Sequence, residues 1–273
     1  MTVYTSIDML EDCRAGRAEG WEYLVDRFLP ALEWIARRYD EAAAGREGFF
    51  DGFLTALRDD AGSPVNRLRT ATDREFLYHA AEYWLDWAGA LPADAGNRGI
   101  RERFGRALEE FTRLERQIVW FTVLGYGPDG IRELLPAAGE RVRQVLARAA
   151  ERLGGDAAVL SDRSYGAALV AEVRSSPPEE PVPLRRLFQV LDGRLDWRRR
   201  DEIEDRLLAS WYELDRFCRA TETAMALRKA RPLPPEQAAE CLRSLGLNRR
   251  RPGGSRQSGF RGPRFLRLLP FLR

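Results

Sequence analysis

Apolar positions recur at threes and fours along almost the whole chain, the spacing of one buried face on an α-helix. Over residues 7–40, Leu10, Trp21, Leu24, Val25, Phe28, Leu32, Ile35 and Ala36 keep that spacing, and Pro30 within it predicts a kink or a break. After "AAAGREG", Phe49 to Leu57 forms a second amphipathic stretch, and "DDAGSPVN" reads as a loop. "REFLYHAAEYWLDWAGAL" then sets Phe76, Leu77, Ala80, Tyr83, Trp84 and Trp87 on one broad face. Together these stretches predict a packed three-helix unit over residues 1–95.

The segment "PADAGNRG" separates that unit from a second helical unit over 100–155. There Leu114, Ile118, Val119 and Phe121 form a core stripe, and Ile131, Leu134 and Leu135 turn inward from a short helix that Pro136 ends. A short turn follows, then "GERVRQVLARAAERL", with Val142, Val145, Leu146, Ala149 and Leu153 at helical spacing. Residues 156–183, running into "VRSSPPEEPVP", read as a Pro-, Ser- and acid-rich linker. A small third helical domain is expected over 184–247, packed through Leu187, Phe188, Leu191, Ile203, Leu207, Leu208, Trp211, Leu214 and Phe217. Residues 248–273 read as a basic disordered tail, whose last 25 residues hold eight arginines and no acid. No segment alternates β-branched with polar residues, so the expected class is all-α.

Charge changes this picture only locally. The 44 basic and 42 acidic residues of the 273-residue chain leave a formal charge of +2, which neither favours nor excludes nucleic acid as a partner. No apolar run approaches the length of a membrane span, and "MTVYTSIDMLEDCRAG" lacks the layout of a secretion signal, so a cytoplasmic location is expected. Cys13, Cys218 and Cys241 are odd in number and far apart, without disulfide or metal-knuckle spacing. The lone histidine, His79, sits between Phe76 and Tyr83 on a helix, and "GYGPDG" has neither a preceding strand nor a following Lys-Ser/Thr. Neither an enzyme nor a cofactor or metal requirement is expected.

The order short helix, tight turn, arginine-bearing helix is that of a helix-turn-helix, whose second helix lies in a DNA major groove. Arg141, Arg143 and Gln144 would stand at its exposed N-terminal half, with Arg148 one turn on as a phosphate or base-edge donor. Alone, an arginine-rich amphipathic helix is most often solvated surface, so the order of elements carries this reading.

"LERQIVWFTVLGYGPDGIRELLPAAGERVRQVLARAAERL" resembles region four of the extracytoplasmic-function sigma factors of bacterial RNA polymerase, through Ile131, Glu133, Leu135, Val142, Arg143, Leu146, Arg148 and Ala149. "EDCRAGRAEGWEYLVDRFLPALEWIARRY", "FFDGFLTAL" and "EFLYHAAEYWLDWAG" resemble region two of the same family. The resemblance implies promoter DNA and core RNA polymerase as partners, with Glu47, Phe49, Phe50, Asp51 and Phe53 on the polymerase side. It also implies that the helix holding Tyr83, Trp84 and Trp87 opens the promoter. This chain departs from the family pattern in "AGREGFF", which keeps only Glu47 of an acidic stretch, and in Glu75 and Glu82, which replace an expected Trp and Asn. Those departures leave a second reading open, a non-melting interaction module that occupies polymerase or a partner sigma factor.

"LFQVLDGRLDWRRRDEIEDRLLASWYELDRFC" resembles the zinc-finger domain of anti-sigma factors, yet Arg206, Ser210 and Glu213 stand at its three ligand positions. Arginine cannot ligate zinc, so a metal-free module is expected. The resemblance implies an intramolecular clamp over the sigma-like units. The turn "PAAGE" carries no small polar cap, which leaves Gly139 as the expected N-cap.

Overall fold

A computed structural model describes residues 3–39, 50–89 and 99–247, and every regular element among them is helical. The fold class read from the hydrophobic periodicity is therefore that of the structure. No described helix is long and apolar enough to cross a membrane. Residues 248–273, read as a tail, lie outside the described residues.

The long pattern at the N-terminus breaks twice. Helices α1 (Ser6–Arg14), α2 (Ala18–Arg27) and α3 (Leu29–Tyr39) are separated at Gly16, which takes a φ of 69°, and at Phe28, just before Pro30. Thr5 and Asp8 cap α1 reciprocally. A methyl at Gly20 would lie 2.6 Å from the Cys13 amide nitrogen and 2.8 Å from the Met9 carbonyl oxygen, so α2 crosses α1 more closely than any side chain allows. Helix α4 (Asp51–Asp59) leads into a short helix, α5 (Pro64–Arg67), inside the stretch expected to be loop. Helix α6 (Asp73–Trp87) starts at a Thr72–Glu75 capping box. Glu75 thus secures a helix end.

The second unit holds α7 (Ile100–Ala107), α8 (Arg113–Val123), α9 (Pro128–Leu134) and α10 (Gly139–Leu153). The expected linker needs correcting. A 3-10 segment (Gly154–Leu160) follows α10, and α11 (Arg163–Arg174) buries Gly166, Leu169, Val170 and Val173 in the same core as α8 and α10. Asp162 caps this helix through the amides of Ser164 and Tyr165. The prolines and serines after residue 174 govern only the stretch from Ser175 to Pro183.

The C-terminal helices are α12 (Leu184–Leu191), α13 (Trp197–Ala209), α14 (Trp211–Lys229) and α15 (Pro235–Ser244). Among the described residues the buried apolar side chains form three clusters, and α14 belongs to all of them. Ala226 joins the N-terminal core, Leu214 and Cys218 the second, and Phe217 and Ala220 a third with Tyr78, Leu187, Phe188, Ile203 and Leu207. Leu208, expected in that core, is exposed. Helix α15 adds Ala238, Cys241 and Leu242 to the N-terminal core, where it packs on α2 and α4. Leu214 and Phe217, both fully buried, contribute roughly 1.5–3 kcal/mol each, and the smaller Cys218, Ala220 and Ala226 let α14 pack closely as an axis common to all three clusters.

Candidate nucleic-acid interface

Helices α9 and α10 meet through Leu135 to Ala138, a turn in which the Ala137 amide bonds back to the Leu135 carbonyl. Val142, Val145, Ala149 and Leu153 bury the inner face of α10, whereas Glu140, Arg141, Arg143, Gln144, Arg148 and Arg152 are exposed along its outer face. The N-cap is Ala138 rather than Gly139, and no side chain caps the end. Its first amides therefore have no side-chain acceptor at the positive end of the helix dipole.

The four expected DNA contacts divide into two kinds. Arg141 and Arg148 both grip Glu115, which is only 4% exposed at its side chain, Arg148 at 2.7 Å. The Arg148 guanidinium also lies 4.3 Å from the centroid of the Phe111 ring. Burial works to raise the Glu115 pKa, but the Thr112 amide and Arg148 outweigh it and hold the carboxyl below its ordinary value. These two arginines are braces between α10 and α8, and moving either to a phosphate strips a partner from a buried charge.

Among the described residues Arg143 and Gln144 are held only by Glu140, at 2.6 and 3.2 Å, one and the same exposed residue on their own helix. An exposed pair of this kind is worth at most about 1 kcal/mol, so both donors are free to exchange it for another partner. Sequence reasoning missed Arg132. Its Cδ would lie 3.3 Å from a methyl at Gly139, with Arg143 Nη1 3.9 Å away, so two guanidiniums reach the uncapped start of α10. Among the described residues Arg132 pairs only with Asp129, an exposed residue, at 3.1 Å. The one sequence signal was its position four residues before Pro136, the proline that ends α9. Arg152, at the far end, pairs with Glu110 at 2.7 Å.

The expected polymerase contacts fare differently. Phe50 and Phe53 are buried, Phe53 with its ring 5.7 Å from Trp87 and 5.9 Å from Tyr83, so neither presents a side chain to a partner. Their apolar character serves the N-terminal core, which is the correction to that assignment. Glu47, Phe49 and the Asp51 side chain lie outside the described residues.

On α6, Trp84 is buried and the Tyr83 hydroxyl donates to Asp60 at 2.7 Å, which leaves Trp87 as the exposed aromatic of the three. Arg74, Tyr78 and Glu82, spaced four apart on one face, turn toward the C-terminal helices. Arg74 pairs with Asp192 at 2.8 Å and lies over the Phe188 ring, Tyr78 joins the Phe217 cluster, and Glu82 pairs with Arg219. Glu82 is thus a docking residue between α6 and α14.

Helix α14 carries a buried polar network into this junction. Asp215 accepts from Trp120 Nε1 at 2.9 Å and from Arg174 Nε at 3.1 Å, with Arg219 3.2 Å away. Glu222 accepts from the hydroxyls of Tyr126 and Tyr39. Burial, above all, pushes the Glu222 pKa up to about 7.

The three positions where a zinc-finger pattern has ligands do other work. Ser210 caps α14 through the Glu213 amide, and Glu213 accepts from the Val182 amide at 2.6 Å while pairing with Arg206 and Arg216, each at 3.1 Å. Among the described residues no group of three or more His, Cys, Asp or Glu side chains is placed to hold a metal ion. Cys13, Cys218 and Cys241 are buried free thiols, and burial raises the pKa of Cys13 and Cys218.

In comparisons with known proteins, no family model, no curated protein and no solved structure matches the chain.

Proposed function

We propose that this chain is a sigma-factor-like regulator of transcription initiation that binds promoter DNA through α9 and α10 and associates with core RNA polymerase. The observation that carries the reading is the uncapped start of α10, around which Arg132 of α9 and Arg143 and Gln144 of α10 are exposed and, among the described residues, held only by exposed carboxylates. Long donors around the start of an exposed second helix suit phosphate contact and base-edge reading together. The resemblance of residues 114–153 to region four supports the same reading from the sequence side.

A second reading, a sigma-like interaction module that does not open DNA, has its own support. The α6 face through Arg74, Tyr78 and Glu82 is occupied by the chain's C-terminal helices. In this reading α12 to α14 act as the clamp, in cis.

Selection from a randomised duplex pool with the full chain tests the first reading. An enriched motif is expected, and the Arg143→Ala/Gln144→Ala variant should lose about 1–3 kcal/mol for each base contact removed. If no motif is enriched, the DNA-binding reading fails. Capture of core polymerase, followed by footprinting of unpaired bases, separates the two. Capture with opening supports an initiation factor, and capture without opening supports the interaction module.

A further inference from the structure

A cleft of about 560 Å³ opens where α7, α8 and the α13–α14 joint meet, and it takes no part in the reading above. Arg116 lines it, 8% exposed, with its guanidinium donating to the backbone carbonyls of Phe111, Leu208 and Glu109. No carboxylate among the described residues pairs with it. The Arg116 guanidinium also lies 5.6 Å from the Trp211 ring centroid, and Glu109 acts on it across the cleft without pairing with it, so its buried charge is only partly compensated, an arrangement that a bound anion completes. Burial accordingly lowers its pKa.

Other side chains of the cleft are just as available. Arg101 and Arg106 line it from α7, one helical turn and a half apart, and their guanidiniums form no ion pair among the described residues. Trp211 and Tyr212 open α14 on the opposite wall, and their amides lie in the first turn of a 19-residue helix, where no helical acceptor exists. Glu102 and Glu109 also line the cleft, so three guanidiniums face two carboxylates and the balance is positive. The volume falls within the ordinary range for a small-molecule site, and is far more than a bare inorganic ion fills. Trp211, whose ring packs against Phe104 and Trp120, supplies a rigid aromatic wall.

We propose that this cleft binds an organic phosphate of mononucleotide size, with its phosphate among Arg101, Arg106 and Arg116 and its flat ring toward Trp211 and Tyr212. Charge-assisted bonds from guanidiniums and helix amides supply the anion's recognition, and the aromatic wall supplies the ring's. Because one wall belongs to the helix-turn-helix unit and the other to the C-terminal helices, a bound ligand ties the two together.

The test is thermal unfolding of the full chain at constant ionic strength with AMP, inorganic phosphate or adenosine. It contains neither DNA nor polymerase, so its failure is distinct from failure of the transcription reading. AMP is expected to raise the Tm in a saturable manner, phosphate to raise it less, and adenosine to leave it unchanged. Arg101→Ala/Arg106→Ala, which removes no ion pair among the described residues, should weaken AMP binding about tenfold or more, whereas Arg185→Ala/Arg186→Ala on the exposed side of α12 should not. No shift with AMP at millimolar concentration, any other order of the three probes, or an equal loss in both variants overturns the proposal.

Discussion

Arginine is common enough in this chain that its residue type says little, and the partner each guanidinium keeps says nearly everything. Arg141 and Arg148 share Glu115, so replacing both with alanine should strand a buried carboxylate. With the guanidiniums about half exposed and screened accordingly, the expected loss is about 2 kcal/mol in urea unfolding, whether or not DNA is present. The same measurement on Arg143→Ala/Gln144→Ala should show almost none. Glu222 gives a pH signature of opposite sign to an ordinary salt-bridged acid. Its folded pKa of about 7 lies above the ordinary 4.5, so the folded state holds the proton more tightly. Its contribution is fully present below about pH 4.5 and is lost as pH rises through 7. That amounts to about 3 kcal/mol, which Glu222→Gln should remove from the difference between the two stability–pH curves. Parallel curves would show that the carboxyl has the same pKa in the folded and unfolded states.

Individual helices owe their ends to local chemistry and their placement to close contacts. Thr5, Thr72 and Thr112 each begin a helix with a reciprocal acid three residues on, a signal visible in the sequence. The crossing of α1 and α2 is another matter. Alanine is a better helix former than glycine by about 1 kcal/mol, yet Gly20→Ala should destabilise by about 1–3 kcal/mol, because its methyl meets main-chain atoms that cannot yield. A neutral or stabilising result in thermal unfolding would mean that the two helices do not cross so closely. Helix α11 shows the converse limit of local reading. Its apolar residues Leu169, Val170 and Val173 carry only a short pattern, which the flanking prolines and acids masked, and burial against α8 makes it a core element.

For the whole molecule, the decisive feature is that α14 belongs to all three clusters. Arg219→Ala removes the cation that lies between Asp215 and Glu82, and it should cost about 3 kcal/mol by leaving the buried Asp215 with Arg174 as its remaining cation and Trp120 as its remaining neutral donor. Urea unfolding of the full chain should be a single cooperative transition by both tryptophan fluorescence and circular dichroism. Two separated transitions would mean that the C-terminal helices form an independent domain, as the division at residue 184 had it.

By itself the sequence determined the helical class, the positions of most helices and the inward and outward faces of α10. These follow from period and capping, which are properties of near neighbours in the chain. It also supplied Arg143 and Gln144 as outward donors. Only the tertiary structure decided that Arg141 and Arg148 are braces, that Phe50 and Phe53 are core, that residues 163–174 are a packed helix and that α14 unites the molecule. Each of those depends on a partner tens of residues away, and spacing along a chain does not specify which distant side chain a residue will meet.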